Sequence, residues 1–325
     1  MRTAEKLFPN LYIHFEDFGR ENAARLLDQY ANQFAVYNDD IEGTGAVTLA
    51  AILGALKISG QKLTDQKFLC FGAGTSGMGI VRQVYEEMLL QGLTPQEAQD
   101  RFYLVDQQGL LFEDSDALTP QQNLFTRKRT EFADSHDLDT LEKVVKAIHP
   151  TILVGCSTVG GAFTESIVKE MAAHTERPIV FPLSNPTELA EAKAADLIAW
   201  TEGRALVATG TASQEVGYQG VKYQIGQANN SLVFPGMGLA VTACHAKCVS
   251  QGMLAAAAHA LADEVKVENA GASVLPPVTH LQDFTVVLAQ KVAQRIVEEG
   301  VNQKAIADPA QAVLDSQWTA EYKEL

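Results

Sequence analysis

The sequence predicts an α/β protein, a Rossmann-like, doubly wound parallel sheet with additional helices from its N- and C-terminal segments. Three observations predict it. The stretch Lys67–Ile80, KFLCFGAGTSGMGI, runs from an apolar strand through a glycine turn into a helix pattern. Short apolar, β-branched runs then alternate with helical patterns about five times, as in a parallel sheet covered on both faces. Polar residues gather where those runs end, at Asp106, Ser157, Asn185 and Thr209, and ligands of such sheets bind at the carboxyl ends of strands.

Each glycine of the turn has a physical task. Gly72 permits the tight turn, Gly74 lets a pyrophosphate approach bare backbone, and Gly77 or Gly79 lets the helix pack closely on the strand. The helix start offers free N–H groups and a positive dipole end to phosphates. Before this unit, Leu11–Gly19 alternates as a short strand, with Glu16 and Asp17 at its end, and Arg20–Phe34 reads as a helix. An acidic, glycine-flanked stretch from Tyr37 to Gly45 precedes the long apolar helix Ala46–Ile58, which Thr44 is placed to cap.

Further along, Gly92 stops the first crossover helix, and Thr94-Pro95-Gln96-Glu97 is a capping box that starts a short one. Arg101–Val105 is the second strand, and Asp106 stands at its end, where a carboxylate takes the ribose hydroxyls and repels a 2′-phosphate. Asp106 therefore favours NAD over NADP; its other reading is an ordinary strand-end turn former. Strands follow at Thr151–Gly155, Ile179–Leu183 and Ala205–Thr209, and helices at Leu138–Ile148, Leu239–Val249, Met253–Val265 and Leu281–Glu298. The polar tail from Asp308 carries Trp318 and Tyr322 as docking anchors. Residues 41–230 form the dinucleotide-binding domain on this reading, with 1–40 and 231–325 as mainly helical flanks.

Composition bounds the function. A formal net charge of −15 over 325 residues argues against nucleic acid or an anionic membrane surface as partner. Four cysteines, Cys70, Cys156, Cys244 and Cys248, form no disulfide framework and fit a cytoplasmic location. Cys244 and Cys248 read as one buried helix face at i and i+4 rather than a zinc clip. The apolar run Ala46–Leu56 is too short to span a bilayer. Three carboxylates stand out at Glu16, Asp17 and Asp40. Their spacing leaves open a hard-cation site and an ordinary solvated acidic turn.

The motifs IHFEDFG, YNDDIEGTG, GAGTSGMGI, PLSNPT and GQANNSLVFPG stand in the order and spacing of malic enzymes. The chain resembles that family over nearly its whole length, and within it the malolactic enzymes through LGALKISGQKLTDQKF, FYLVDQQGLLF, LVATGTASQEV and AGASVLPPVTHLQDF. The resemblance implies that Glu16, Asp17 and Asp40 ligate Mn²⁺ or Mg²⁺, and that Asp39 supports a catalytic lysine. It implies that Gly72, Gly74, Thr75, Gly77 and Gly79 form the NAD pyrophosphate turn, and that Asn185 and Asn229 contact nicotinamide and substrate. Three positions depart from the family: Glu42 for the glutamine of DIQG, Thr75 for the glutamate of GAGEA, and Ala228 for a glycine of GQGNN.

The implied activity is NAD- and metal-dependent decarboxylation of L-malate in a homo-oligomer, giving L-lactate and CO₂. The alternatives are an NAD-dependent malic enzyme, giving pyruvate and NADH, and a non-catalytic NAD-binding fragment. The family's proton-transferring tyrosine and lysine, and a substrate-binding arginine, lie in a region ahead of EDFG that these 325 residues do not include. The expectation is a fragment or a shortened protein with little turnover alone, whose flanks would pack against that region.

Overall fold

The computed structural model describes residues 1–267 and 269–318. Its strands are β1 (Ile13–Phe15), β2 (Val36–Asn38), β3 (Phe68–Phe71), β4 (Phe102–Asp106), β5 (Gly109–Leu110), β6 (Ile152–Gly155), β7 (Ile179–Pro182), β8 (Leu206–Thr209), β9 (Val216–Tyr218), β10 (Val221–Tyr223) and β11 (Gly226–Gln227). Seven of them make one sheet in the order β11-β8-β7-β6-β3-β4-β5. All neighbours in it are parallel except the hairpin β4–β5 at the edge. The chain leaves β3 for β4 on one side and then crosses to β6 on the other, so the topological switch lies beside β3.

Side-chain alternation explains why these runs are apolar on both faces. Phe68, Cys70, Phe102, Leu104, Ile152 and Val154 enter one core, which the helices Thr44–Ser59, Thr75–Leu90, Phe234–Cys244, Gln251–Asp263 and Leu281–Glu298 cover. Leu69, Tyr103, Val105, Leu153 and Val180 enter the other, under Leu141–Ile148, Glu165–His174 and Ala194–Trp200. Both sides are apolar, and each fully buried Phe or Leu contributes about 1.5–3 kcal/mol of transfer free energy. The helices after residue 230 share the core of the Thr44–Ser59 helix, so packing continues without a break past that point. β1 and β2 form a separate parallel pair over a small cluster of Phe15, Leu27 and Val36.

Several local expectations are corrected. The first long helix ends at Tyr30, and β2 follows it; three residues are too few to show alternation. Thr44 does not cap the apolar helix. A π-turn, Asp39–Gly43, leads into it, and the Asn38 side chain accepts the Ile41 N–H at 3.0 Å. With that turn the helix spans 21 residues, Asp39–Ser59, long and apolar enough to cross a bilayer, but 72% of its apolar window is buried inside the fold. It is a core helix. The helix at Phe234 stops at Cys244 because His245 turns left-handed (φ 49°), so Cys248 lies beyond it and the shared face does not form. Another helix, Pro309–Ser316, occupies the tail, where Trp318 is exposed; Tyr322 lies outside the described residues.

Candidate active site

Two structural units meet at the carboxyl edge of the sheet. In the first, parallel pairing of β1 with β2 aligns Phe15 with Asn38 and so brings the two acidic stretches side by side. Glu16 and Asp17 leave β1 where Asp39 and Asp40 leave β2. Asp17 adopts a left-handed backbone (φ 58°), sparsely populated for such a residue, and its N–H donates to Asp40 Oδ2 at 3.1 Å. One carboxylate oxygen from each of Glu16, Asp17 and Asp40 lies within 4.8 Å of the others. The π-turn aims the two aspartates differently: Asp39 is buried and Asp40 half-buried.

Electrostatics follow from the crowding. Burial, then the charges of Asp39, Asp40 and Asp17, push Glu16 up to about 7. Burial and the charges of Asp17 and Asp39 raise Asp40 as well, against the hydrogen bond from Asp17. The buried Tyr37 phenol, beside Asp39, is raised well above its ordinary value by burial and by that charge, so it keeps its proton. His14 reaches toward both Glu16 Oε2 (3.8 Å) and Asp39 Oδ1 (3.9 Å) from β1. Asp39 Oδ1 and the Tyr37 hydroxyl are buried without hydrogen-bond partners.

The second unit is the glycine turn after β3. Gly72 has φ 95°, and a Cβ there would come within 2.6 Å of the Cys156 carbonyl and of Ser157 Cα, so the loop after β6 crosses directly over it. The two alternatives for close packing are both used. A Cβ on Gly77 would meet the Gly72 oxygen at 2.2 Å, and one on Gly79 would meet the Ile41 oxygen at 2.6 Å. Gly77 packs the helix on its own turn, whereas Gly79 packs it on the acidic π-turn. Gly74 sits at the N-cap and Thr75 opens the helix.

Between the units lies a cleft of about 470 Å³, lined by Glu16, Asp39 and Asp40 on one wall and by Asn185 and Asn229 on another. Ser76 joins the glycine turn to it. Among the described residues that line it there is no lysine or arginine. Converging carboxylate oxygens of Glu16, Asp17 and Asp40, with Glu16 and Asp40 crowded enough to hold protons more tightly than usual, are a donor set suited to a hard divalent cation, which prefers oxygen ligands. Asp106 stands elsewhere. It follows Val105, the register partner of Phe71, and so flanks the glycine turn, where its Oδ1 accepts the Gln107 N–H at 2.8 Å. The structure thus gathers Glu16, Asp17, Asp39, Asp40, Asn185 and Asn229 together, with Asp106 one strand away beyond Gly72.

Sequence reasoning missed several residues of this cleft. Asn230 donates its amide to the Asp39 carbonyl at 3.0 Å and pairs with Thr44, which binds the Asn229 loop to the π-turn. Its position beside Asn229 was the available signal. Thr48, one helical turn after Thr44, presents a buried, unpartnered hydroxyl. His14, which stands beside the acidic residues, lies within IHFEDFG, but no spacing argument singled it out.

Residues 41–297 match the family model described as malic enzyme, NAD binding domain. The chain is 56% identical over 321 residues to a malolactic enzyme of Lactiplantibacillus plantarum, covering 99% of this chain and 59% of that protein. It is 46% identical over 328 residues to NAD-dependent malic enzyme 3 of Bacillus subtilis, covering 99% of the chain and 58% of that protein. In fold it resembles the crystal structure of the Entamoeba histolytica malic enzyme, with a TM-score of 0.76 at 22% identity over 94% of this chain and 58% of that one. The chain therefore spans about 59% of the length of the curated relatives it matches.

Proposed function

The chain belongs to the malic enzyme family, and from that premise we propose that it serves NAD- and divalent-metal-dependent conversion of L-malate to L-lactate and CO₂. The observation that carries this reading is the cleft itself, where a carboxylate triad, two asparagines and the glycine-turn helix start converge. Bound NAD would supply the hydride acceptor, and bound Mn²⁺ or Mg²⁺ the positive charge that acidifies a hydroxyl and polarises a carbonyl.

The chain's own residues would do the rest. Gly72 to Gly77 leave backbone N–H groups and the positive end of the Thr75–Leu90 helix facing the pyrophosphate. Asp106 accepts the adenosine ribose hydroxyls. Glu16, Asp17 and Asp40 hold the cation, and Asn185 and Asn229 offer amide N–H groups to substrate carboxylate and nicotinamide carboxamide oxygens. Asp39, whose buried Oδ1 stands 3.9 Å from His14 Nε2, would support a proton-carrying partner group. The setting is cytoplasmic, in keeping with four free cysteines, and the assembly a homo-oligomer.

The malolactic product rests on the higher identity to malolactic enzymes, while the Bacillus subtilis relative favours pyruvate as the second reading. The test supplies L-malate, NAD and Mn²⁺ to this chain joined to the N-terminal region of a relative. Lactate without free NADH is the expected result. Pyruvate with one NADH per turnover would replace this reading with the malic enzyme one, and no malate consumption would remove both.

A further inference from the structure

We infer that Glu191 is the positioning residue that sets Asn185 in the cleft. This rests on the reading of Asn185 as a substrate contact. Glu191 lies behind the cleft wall with 0% exposure, so water cannot satisfy the groups around it. Its Oε1 accepts three hydrogen bonds: from the Ser157 N–H (2.9 Å), the Ser157 hydroxyl (2.8 Å) and the Ser184 hydroxyl (2.5 Å). Its Oε2 faces the Ser184 N–H at 3.3 Å. Ser184 Oγ in turn accepts the Thr158 N–H at 2.9 Å. One carboxylate thereby fastens the loop after β6 to the loop after β7.

Room for it exists because β6 ends in Gly155, where a Cβ would come within 2.5 Å of the Glu191 carboxyl carbon. Leu183, Ser184 and Asn185 all line the cleft, and the Asn185 side chain rests on Gly210 at the end of β8. Glu191 touches none of the cleft contents; it reaches Asn185 through Ser184 while holding Ser157 on its other side.

A carboxylate suits this place because four donors converge on it and it has only acceptors. In Glu191→Gln the amide oxygen stays with the three donors at Oε1. The NH₂ group then faces the Ser184 N–H, donor against donor, one residue from Asn185. The damage is local to that peptide and spares Ser157, which packs over Gly72. Displacing that peptide moves Asn185, and loss of the one hydrogen bond it offers the substrate corresponds to roughly a tenfold loss of affinity.

The test titrates the wild-type chain, Glu191→Gln and Ser184→Ala with ADP-ribose, and with L-malate in the presence of NAD and Mn²⁺. Expected is ADP-ribose affinity within about twofold of wild type in both variants, with L-malate weakened about tenfold. Ser184→Ala removes the hydroxyl that donates to Glu191 and accepts from the Thr158 N–H, leaves both Ser157 bonds to Glu191 in place, and serves if Glu191→Gln folds poorly. L-malate binding at wild-type strength in the variants overturns the inference, as does a parallel loss of ADP-ribose, which would mean general loosening. All three proteins are titrated joined to the N-terminal region of a relative, as in the test of the proposed function. L-malate binding by none of them, with ADP-ribose bound by all, overturns the reading of Asn185 as a substrate contact, whereas malate bound equally by all three overturns only the role of Glu191.

Discussion

Asp17 shows how much of the site is decided by single residues. Its left-handed backbone turns its N–H onto Asp40, tying the end of β1 to the π-turn and bringing both carboxyls to one point. Such strain persists only where surrounding structure holds it, and here the parallel β1–β2 pairing does so. We propose a different role for Asp106. Beside the glycine turn its charge would repel a 2′-phosphate, so the chain is expected to bind NAD more tightly than NADP in a calorimetric titration. Asp106→Asn should narrow that preference while keeping the turn, because the amide oxygen can still accept from Gln107. NADP binding as tight as NAD in the wild type would take Asp106 out of cofactor selection.

The pairwise contacts of helices govern stability. The Thr75–Leu90 helix touches the π-turn through Gly79, where backbone meets backbone and neither side can yield. Gly79→Ala is expected to cost about 1–3 kcal/mol in urea unfolding, as overpacking does. An unchanged midpoint would show that the two elements are not in rigid contact. The same helix holds Glu87, 2% exposed, whose Oε1 pairs with His259 on the Gln251–Asp263 helix at 3.0 Å. That hydrogen bond raises His259 above the ordinary histidine value. The raised group binds its proton more tightly when folded, so its stabilisation is complete below about pH 6.5 and fades as pH climbs through the raised value. The stability gap between wild type and His259→Gln should therefore be largest near the acid end and shrink as the solution turns alkaline. A gap independent of pH would contradict this.

Legibility also differed by element. The capping box at Thr94 and the ends of β6 and β8 read true because their signals are local: Thr94 accepts from the Glu97 N–H, and β6 ends at Gly155 and β8 at Thr209 as their apolar runs do. The π-turn did not, since an extra residue in a helical turn leaves no mark on apolar periodicity. β2 was hidden by its length. Cys248 was misplaced because a left-handed histidine, not glycine, ends the helix before it.

Over the whole molecule, the parallel sheet and its carboxyl-edge site followed from the βαβ rhythm, because a doubly wound sheet has one edge at which its loops can meet. The second half of the cleft was not legible that way. Its carboxylates come from a separate two-stranded unit whose approach to the sheet is set by tertiary contacts such as Asn230 with Asp39 and Gly79 with Ile41. A site assembled from the two units needs both at once, and cation binding reports on their union. The most direct measurement is a water-proton relaxation titration of Mn²⁺ into the wild-type chain and Asp40→Asn, with circular dichroism to verify the fold. The account predicts Mn²⁺ uptake by the wild type, weakened at least about tenfold by the loss of one anionic oxygen, with NAD affinity preserved. Equal Mn²⁺ uptake by the two proteins would contradict it.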